Sequence, residues 1–161
     1  MRILIISDTH GRFSAIEDLF ARVGKPDMLI HCGDVAGDAD YVREMAGCET
    51  HIVRGNCDFD KTLPSEELIF VGDHKILVTH GHKYRVYYGL ECLKEEALNV
   101  GADIVLYGHT HVPYTEYGDV CIANPGSLAE PRQPGRRPSY MFLEFDRYGH
   151  PFFAINYIEE K

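Results

Sequence analysis

Five apolar segments of this chain share one feature: each is short, and each runs directly into Asp, Asn or His beside a turn. They span residues 2–6, 28–31, 50–53, 76–79 and 104–107. Apolar runs of this length, bounded by glycine, indicate strands that are buried on both faces, as in parallel sheets. Because the carboxyl ends of such strands meet at one edge of a sheet, the pattern predicts both an α/β fold and the position of a site.

Helical segments separate the first strands. Residues 13–23 predict an amphipathic helix that stops at Gly24, and residues 38–46 predict a shorter helix with an acidic cap. This alternation indicates parallel strands in the first half of the chain. The remaining expected elements are a hairpin over 67–71 and 75–79, a helix within 84–100, a strand at 103–107, and strands at 120–123, 140–145 and 152–158 of mostly antiparallel character. Two facing sheets with helices outside, forming a single domain over 1–161, would satisfy this pattern.

Composition excludes several classes of function. The net charge of −9 disfavours binding to a polyanion, so nucleic acid is not an expected partner. No apolar run approaches the roughly 18 residues that span a bilayer, so no membrane association is expected. Five cysteines without a C-x-x-C pair suit a reducing compartment, where we expect them mainly as small core residues. A cytoplasmic protein is therefore expected.

Seven potential metal ligands follow the five apolar segments: Asp8, His10, Asp34, Asn56, His80, His109 and His111. Carboxylate and amide oxygens combined with imidazole nitrogens suit Mn²⁺, Fe²⁺, Zn²⁺ or Ni²⁺ better than Ca²⁺. Seven ligands are too many for one tetrahedral zinc ion but sufficient for two ions if one carboxylate bridges them. Glycines beside several of them permit tight turns and close backbone approach.

Each ligand also has a purely structural interpretation. Asp8 alone could accept hydrogen bonds at a helix N-terminus, Asp34 alone could shape a turn, and His80 alone could be a buried hydrogen-bonded residue. Taken singly, the structural interpretation is favoured for each. Seven such residues at strand ends favour a metal site.

The motifs, taken in order, resemble those of the calcineurin-like metallophosphoesterases. They are D-x-H at 8–10, G-D at 33–34, G-N at 55–56, H-G at 80–81 and G-H-x-H at 108–111, and "GNCD" and "NPGS" resemble the compact YfcE-type phosphodiesterase branch most. The resemblance implies a metallo-dependent phosphatase fold, a four-layer α/β/β/α sandwich of two mixed sheets flanked by helices. It also implies two metal sites that share Asp34 as a bridge, one formed by Asp8, His10, Asp34 and His111 and the other by Asp34, Asn56, His80 and His109.

The implied function is a two-metal-dependent phosphoesterase, expected to be a phosphodiesterase acting on a small phosphoester. A hydroxide that bridges the two ions would attack phosphorus in line with the leaving group. Mn²⁺ is the first expectation for the ion, with Ni²⁺, Zn²⁺, Fe²⁺ and Mg²⁺ as alternatives. A nuclease and a non-catalytic protein-interaction scaffold on the same fold are the alternative functions, and the unsubstituted ligand set favours an enzyme. A homodimer is expected only because homodimers are the commonest oligomers of soluble proteins.

Residues around the ligands receive further expected roles. Asp34, Asn56 and His82 are the expected catalytic residues, where His82 either orients a ligand or contacts substrate. Cys57 stands where many superfamily members have a His near the leaving group, so a general acid is missing, and we expect acidic leaving groups to be preferred. The expected substrate contacts are Cys57 and Arg132. Arg132 lies in the basic segment 130–138, and a segment of this composition more commonly forms a solvated loop.

Overall fold

The structure is a computed structural model, and it describes residues 1–159. Its elements are, in chain order, β1 (Ile3–Ile6), α1 (Phe13–Val23), β2 (Met28–His31), α2 (Ala39–Ala46), β3 (Glu49–Ile52), β4 (Glu66–Val71), β5 (His74–Thr79), a 3₁₀ turn (His82–Tyr84), α3 (Glu91–Val100), β6 (Ile104–Leu106), β7 (Pro113–Glu116), β8 (Cys121–Pro125), β9 (Ser139–Phe145) and β10 (Pro151–Tyr157). The helices at 13–23 and 38–46 and the hairpin are thus found within one residue of their expected positions.

Two mixed five-stranded sheets form the centre of the molecule. The first has the order β10-β9-β1-β2-β3 and the second the order β4-β5-β6-β8-β7. In the first sheet β1, β2 and β3 are parallel and β9 and β10 are antiparallel to their neighbours. In the second, β5, β6 and β8 are parallel and lie between the antiparallel edge strands β4 and β7. This arrangement confirms the expected α/β/β/α architecture.

The alternation of side chains along β1 shows why its sequence is apolar throughout. Ile3 and Ile5 belong to the core between the two sheets. Leu4 and Ile6 belong to a second core, which the first sheet forms with α1 and α2. A third core lies between the second sheet and α3. All four residues of β1 are fully buried, so neither face tolerates a polar residue, and the strand is held rigidly up to the loop that carries Asp8.

Two expectations about individual elements are confirmed with differences in detail, and one strand was not expected. The helix lies within 84–100 but begins only at Glu91, because Arg85 (φ +55°) and Gly89 (φ +142°) interrupt the helical backbone before it. The tail is mostly antiparallel, through β9, β10 and the β7–β8 pair, although β8 also runs parallel to β6. The edge strand β7 was not expected, since it begins at Pro113 and has no clear apolar alternation.

The cysteines follow expectation in part. Cys32 is buried in the core between the sheets, and the partly buried Cys48 and Cys121 pack against core residues. Cys57 is partly buried and Cys92 is exposed, so the interpretation as small core residues holds for three of the five. Within residues 1–159, the structure has no helix that is long and apolar enough to cross a membrane.

Candidate metal centre

All seven candidate ligands lie in loops that directly follow the carboxyl ends of strands. Those after β1, β2 and β3 come from the first sheet, and those after β5 and β6 come from the second. The paired sheets therefore bring five loops to one end of the sandwich. The ligands are Asp8 and His10, Asp34, Asn56, His80, and His109 and His111, in the order of their strands.

The first expected ligand group is assembled around His111. Its Nε2 atom lies 3.1 Å from Oδ1 of Asp8 and 3.3 Å from Nε2 of His10. Nε2 of His10 also lies 3.9 Å from Oδ1 of Asp8 and 3.9 Å from Oδ2 of Asp34. The four side chains thus direct their donor atoms toward one small volume.

The second expected group is assembled around His80. Its Nε2 atom lies 3.3 Å from Oδ2 of Asp34, 3.1 Å from Oδ1 of Asn56 and 3.2 Å from Nδ1 of His109. Oδ2 of Asp34 faces both groups, since it lies near His80 in this group and His10 in the other. Asp34 therefore stands where a bridging carboxylate would have to be.

Hydrogen bonds to backbone carbonyl groups outside the cluster fix which nitrogen of His80 and of His111 faces the cluster. Nδ1 of His80 lies 2.8 Å from the carbonyl oxygen of Cys32, and Nδ1 of His111 lies 2.7 Å from that of Glu130. A carbonyl only accepts, so both Nδ1 atoms carry the proton and donate. In the neutral rings, the Nε2 lone pairs then point into the cluster, which is the arrangement typical of metal-binding histidines.

The cluster has an unsatisfied acceptor at its centre. Among residues 1–159, Oδ1 of Asp8 is one of three buried side-chain polar atoms without a hydrogen-bond partner, and the nearby Nε2 of His111 forms no hydrogen bond with it. Such a group is costly unless a cation compensates it. When two ligand atoms each lie about 2.1 Å from a metal ion and their bonds meet at a right angle, the two ligand atoms are about 3.0 Å apart. Several neighbouring side-chain atoms of the cluster lie at a similar separation, 3.1 to 3.3 Å. The residues therefore fit divalent cations.

Electrostatics prepare part of the cluster for cations. Burial alone would raise the pKa values of Asp8 and Asp34, but the neighbouring imidazoles and hydrogen-bond donors outweigh burial, so both values are lowered. Burial, reinforced by His80, lowers the pKa of His109 to about 4. Burial also acts to lower the pKa values of His80 and His111, but the carboxylates of Asp34 and Asp8 outweigh it and raise both. At neutral pH the carboxylates are ionised and His109 is uncharged, whereas a cation would displace protons from His80 and His111.

Unusual backbone conformations accompany the ligands. Among the described residues 1–159, eight non-glycine residues have a positive φ, and five of them are candidate ligands: Asp8 (+54°), His10 (+45°), Asp34 (+54°), His109 (+70°) and His111 (+58°). The left-handed conformation reverses the chain within one residue and turns the side chain inward. It is unfavourable for residues with a Cβ atom and concentrates at functional sites.

Glycines beside the ligands allow close packing, as expected from the sequence. A Cβ atom on Gly55 would lie 2.0 Å from Oδ1 of Asp34, and one on Gly108 would lie 2.0 Å from Oγ of Ser7 and 2.9 Å from Oδ2 of Asp8. Both contacts are too short for any side chain. Glycine is therefore required at these positions because a neighbouring loop occupies the space.

The "NPGS" segment forms a turn behind the cluster. Oγ of Ser127 donates to the carbonyl oxygen of Asp8 (2.8 Å), and Nδ2 of Asn124 donates to that of Gly108 (2.9 Å). These buried bonds tie the loops after β1 and β6 to the start of the basic segment. The segment thus supports the ligands and contributes no side chain to the cluster.

Cys57 and His82 lie at the edge of the cluster. The backbone amide of Cys57 donates to Oδ1 of Asp34 (2.8 Å). The thiol sulfur of Cys57 also lies close enough to ligand atoms of His10 and Asp34 for the three side chains to share an ion. Burial and the charge of Asp34 raise the pKa of the Cys57 thiol to about 11. The ring centroid of His82 lies 5.3 Å from that of His80, and its buried Nδ1 atom has no hydrogen-bond partner within the described chain.

Arg132 reaches the cluster through a tyrosine. A guanidinium nitrogen of Arg132 donates to the hydroxyl of Tyr87, and that hydroxyl donates to the carbonyl oxygen of His109 (2.8 Å). The backbone amide of Arg132 also donates to the carbonyl oxygen of His111 (3.0 Å). The structure therefore anchors Arg132 to both histidines of the loop after β6.

Sequence reasoning missed two supporting residues, Asp58 and Tyr87. The carboxylate of Asp58 accepts from the backbone amides of Asp34 (2.9 Å), Ala36 (2.6 Å) and Gly55 (2.8 Å). It thereby joins the loops after β2 and β3. Asp58 is the last residue of "GNCD", so its proximity to a ligand was visible in the sequence, whereas its three hydrogen bonds were not. Tyr87 carried no signal, since the helical pattern placed it inside the helix expected within 84–100.

A family model and curated relatives match this chain. Residues 1–148 match the calcineurin-like phosphoesterase superfamily domain. The chain is 37% identical over 150 residues to the probable metallophosphoesterase YsnB of Bacillus subtilis, covering 91% of this chain and 85% of YsnB. It is 33% identical over 174 aligned residues to the phosphodiesterase YfcE of Escherichia coli, covering 91% of this chain and 89% of YfcE.

Solved structures share the fold over nearly the whole chain. A predicted phosphoesterase of Streptococcus pneumoniae superposes with a TM-score of 0.80 at 30% identity, covering 98% of this chain and 97% of the other. Wild-type Vps29 of Entamoeba histolytica, in complex with Zn²⁺, superposes with a TM-score of 0.75 at 25% identity, covering 98% of this chain and 99% of Vps29. Both an enzyme family and a vacuolar sorting protein therefore use this architecture.

Proposed function

This chain belongs to the calcineurin-like phosphoesterase superfamily, and from that membership we propose that it is a two-metal-dependent phosphodiesterase acting on a small phosphoester. One cation would be held by Asp8, His10, Asp34 and His111, and the other by Asp34, Asn56, His80 and His109. Mn²⁺ is the proposed ion, and Ni²⁺, Zn²⁺, Fe²⁺ and Mg²⁺ are the alternatives.

The observation that carries this proposal is the buried Oδ1 atom of Asp8, which has no hydrogen-bond partner within the described residues although the Nε2 atom of His111 lies 3.1 Å away. A purely structural cluster would be expected to pair this atom with a donor. The Nε2 atoms of His10 and His111 share a hydrogen bond of 3.3 Å and so converge on the same space. These contacts support a ligand set that a cation would complete.

Each group of residues has a defined task in the proposed reaction. Asp8 and Asp34 supply the negative charge, and the imidazoles are oriented by the carbonyl groups behind them. Two bound cations would stabilise negative charge on the phosphoryl group and make a water molecule nucleophilic near neutral pH. No side chain is then required as a covalent nucleophile.

Cys57 is not suited to serve as nucleophile or as general acid. Because its thiol has a pKa of about 11, little thiolate forms at neutral pH, and the protonated thiol is a weak donor to a leaving alkoxide. We therefore propose that Cys57 contacts substrate without transferring a proton. Esters with acidic leaving groups, such as aryl esters, should then be better substrates than alkyl esters.

His82 and Arg132 are the proposed residues that face the substrate. Burial, with a contribution from the charge of His80, lowers the pKa of His82, so its ring is uncharged at neutral pH and can donate a hydrogen bond. Arg132 has guanidinium donors left after its bond to Tyr87 and can bind a phosphate oxygen. Substitution of Arg132 by Ala is expected to raise KM more than it lowers kcat.

Hydrolysis assays on metal-stripped protein test the proposal. Mn²⁺, Ni²⁺, Zn²⁺, Fe²⁺ and Mg²⁺ are added back singly, and bis-p-nitrophenyl phosphate is compared with p-nitrophenyl phosphate. We expect metal-dependent cleavage with a preference for the diester, and the substitution Asp34→Asn should abolish it. Metal-dependent cleavage of the monoester alone would contradict the diesterase assignment.

The alternative function is a non-catalytic protein-interaction scaffold, supported by the fold similarity to Vps29. The exposed aromatic side chains of Tyr87, whose ring lies against that of His109, and of Tyr88 would serve such an interface or a homodimer. Stoichiometric metal binding without hydrolysis of either ester would favour the scaffold. The net charge of −9 weighs against a nuclease, which would have to approach a polyanion.

A further inference from the structure

A basic cavity lies immediately beside the metal cluster. It has a volume of about 570 Å³ and is lined by Arg12, Arg132, Arg136, Glu130, Ala129 and Pro131. Three arginines and one glutamate line this space, in a chain whose net charge is −9. This local excess of positive charge runs against the composition of the whole molecule.

Within residues 1–159, the three arginines of the cavity lack the charged or aromatic partners that five of the other seven arginines have. None of the three forms an ion pair with a carboxylate, whereas Arg43 pairs with Asp40. Four others, Arg2, Arg85, Arg137 and Arg147, lie over aromatic rings. Neighbouring cations without counterions repel each other, and an anion bound between them removes this cost.

Two of the guanidinium groups are held in place by neutral partners. Arg12 donates to the carbonyl oxygen of Ala129 (3.0 Å), and Arg132 donates to the hydroxyl of Tyr87. These bonds fix the side chains and leave the positive charge uncompensated. Such fixed donors lose little conformational entropy when they bind an anion.

The cavity shares a wall with the metal cluster. The carbonyl oxygen of Glu130 accepts from Nδ1 of His111 (2.7 Å), and the backbone amide of Arg132 donates to the carbonyl oxygen of His111 (3.0 Å). Arg12 follows the ligand His10 by only two residues. The cavity is therefore adjacent to the place where a scissile phosphate would lie.

We propose that the cavity lined by Arg12, Arg132 and Arg136 is an anion subsite for a second phosphate group of the substrate. The substrate class is then phosphoesters that carry a second phosphate in addition to the one that is cleaved. This proposal rests on the proposed function for the position of the scissile phosphate. Arginine binds phosphate oxygens in bidentate fashion, so this cavity offers donors that match a phosphate group.

The first test measures binding without metals. Inorganic phosphate is titrated by calorimetry into metal-stripped protein in the presence of a chelator, so the metal cluster cannot contribute. The wild type is expected to bind, and the double substitution Arg12→Gln/Arg136→Gln is expected to weaken binding about ten-fold or more. Arg137→Gln is the matched control, because Arg137 lies in the same loop but over the ring of Tyr157, and its effect should stay below about two-fold.

The second test measures selectivity with metals bound. The p-nitrophenyl ester of thymidine 5′-phosphate is compared with the same ester carrying a 3′-phosphate. The ratio of kcat/KM should favour the bisphosphate in the wild type and Arg137→Gln, and it should fall about ten-fold in Arg12→Gln/Arg136→Gln. An unchanged ratio, or phosphate binding that the double substitution leaves intact, would overturn the subsite. If neither ester is cleaved with any ion, the proposed function fails, and the calorimetric result alone decides the subsite.

Discussion

The substitution Asp58→Ala should destabilise the metal centre although Asp58 is not among its proposed ligands. The carboxylate accepts three backbone hydrogen bonds, from Asp34, Ala36 and Gly55, and so holds two ligand loops together. A net contribution of about 1 kcal/mol for each bond gives a predicted loss of about 3 kcal/mol in the free energy of unfolding. Two of the freed amides belong to buried residues, Asp34 and Gly55, so water replaces these bonds poorly.

A graded series sharpens this prediction. Asp58→Asn keeps one side-chain oxygen. When this oxygen takes the position of Oδ2, it retains the bonds to the amides of Asp34 and Gly55. The free energy of unfolding should then fall by about 1 kcal/mol, the contribution of the one lost bond. Asp60→Ala is the control, because exposed Asp60 caps only Thr62 within its own turn. Urea unfolding of metal-stripped protein measures the free energies. Calorimetric titration with Mn²⁺ should show a loss of affinity of about ten-fold or more for Asp58→Ala, as is usual when groups that orient ligands are removed.

The outcome that would refute this reasoning is specific. If Asp58→Ala unfolds within about 0.5 kcal/mol of the wild type and binds Mn²⁺ equally well, the three hydrogen bonds do not organise the site. A stability loss without a change in Mn²⁺ affinity would refute the link to the metal centre while leaving the structural role intact.

Three further predictions concern backbone packing, pH and leaving groups. Gly55→Ala places a Cβ atom 2.0 Å from Oδ1 of Asp34 and should weaken Mn²⁺ binding about ten-fold or more. In the control Gly118→Ala, the new Cβ atom meets only one atom, 3.8 Å away, so Mn²⁺ affinity should stay unchanged. Equal Mn²⁺ affinities in calorimetric titrations of the two variants would contradict this. Burial lowers the pKa of His74, but its bonds to a backbone carbonyl and a carboxylate outweigh burial and raise the pKa. The charged form of His74 therefore stabilises the fold fully below about pH 6.5. This contribution is lost as pH rises through the raised pKa. Urea unfolding should therefore show a larger difference between the wild type and His74→Gln in mild acid than in mild alkali, and a pH-independent difference would argue against a charged His74. Cys57→His should raise kcat/KM for alkyl esters relative to aryl esters by about ten-fold or more without changing Mn²⁺ affinity, and an unchanged ratio would refute the missing-acid argument.

The sequence predicted β1, β2 and β6 well because these strands are buried on both faces. β1 and β6 are apolar throughout, β2 is apolar up to His31, and α1 has a clear amphipathic pattern, so apolar periodicity identifies them. β7 and the start of α3 were misjudged for a related reason. Pro113 begins an edge strand with few buried residues, and the apolar side chain of Tyr87 continues a helical period although Gly89 interrupts the helix.

The candidate ligands were visible from the sequence because each directly follows a strand, whereas their supports were not. The ligand side chains converge because parallel strands share one edge, a consequence of topology that sequence pattern reveals. Asp58, Tyr87 and Arg12 act through hydrogen bonds to backbone atoms of distant loops. Residue type does not encode such partners, so these roles emerge only from the three-dimensional arrangement.

A crystal structure of the protein grown with Mn²⁺, with anomalous differences measured at the manganese edge, tests the central claim most directly. Two peaks are predicted at the carboxyl ends of β1, β2, β3, β5 and β6, each about 2.2 Å from its ligand atoms, with the carboxylate of Asp34 between them. A single peak, or peaks that do not share Asp34, would contradict the two-metal account.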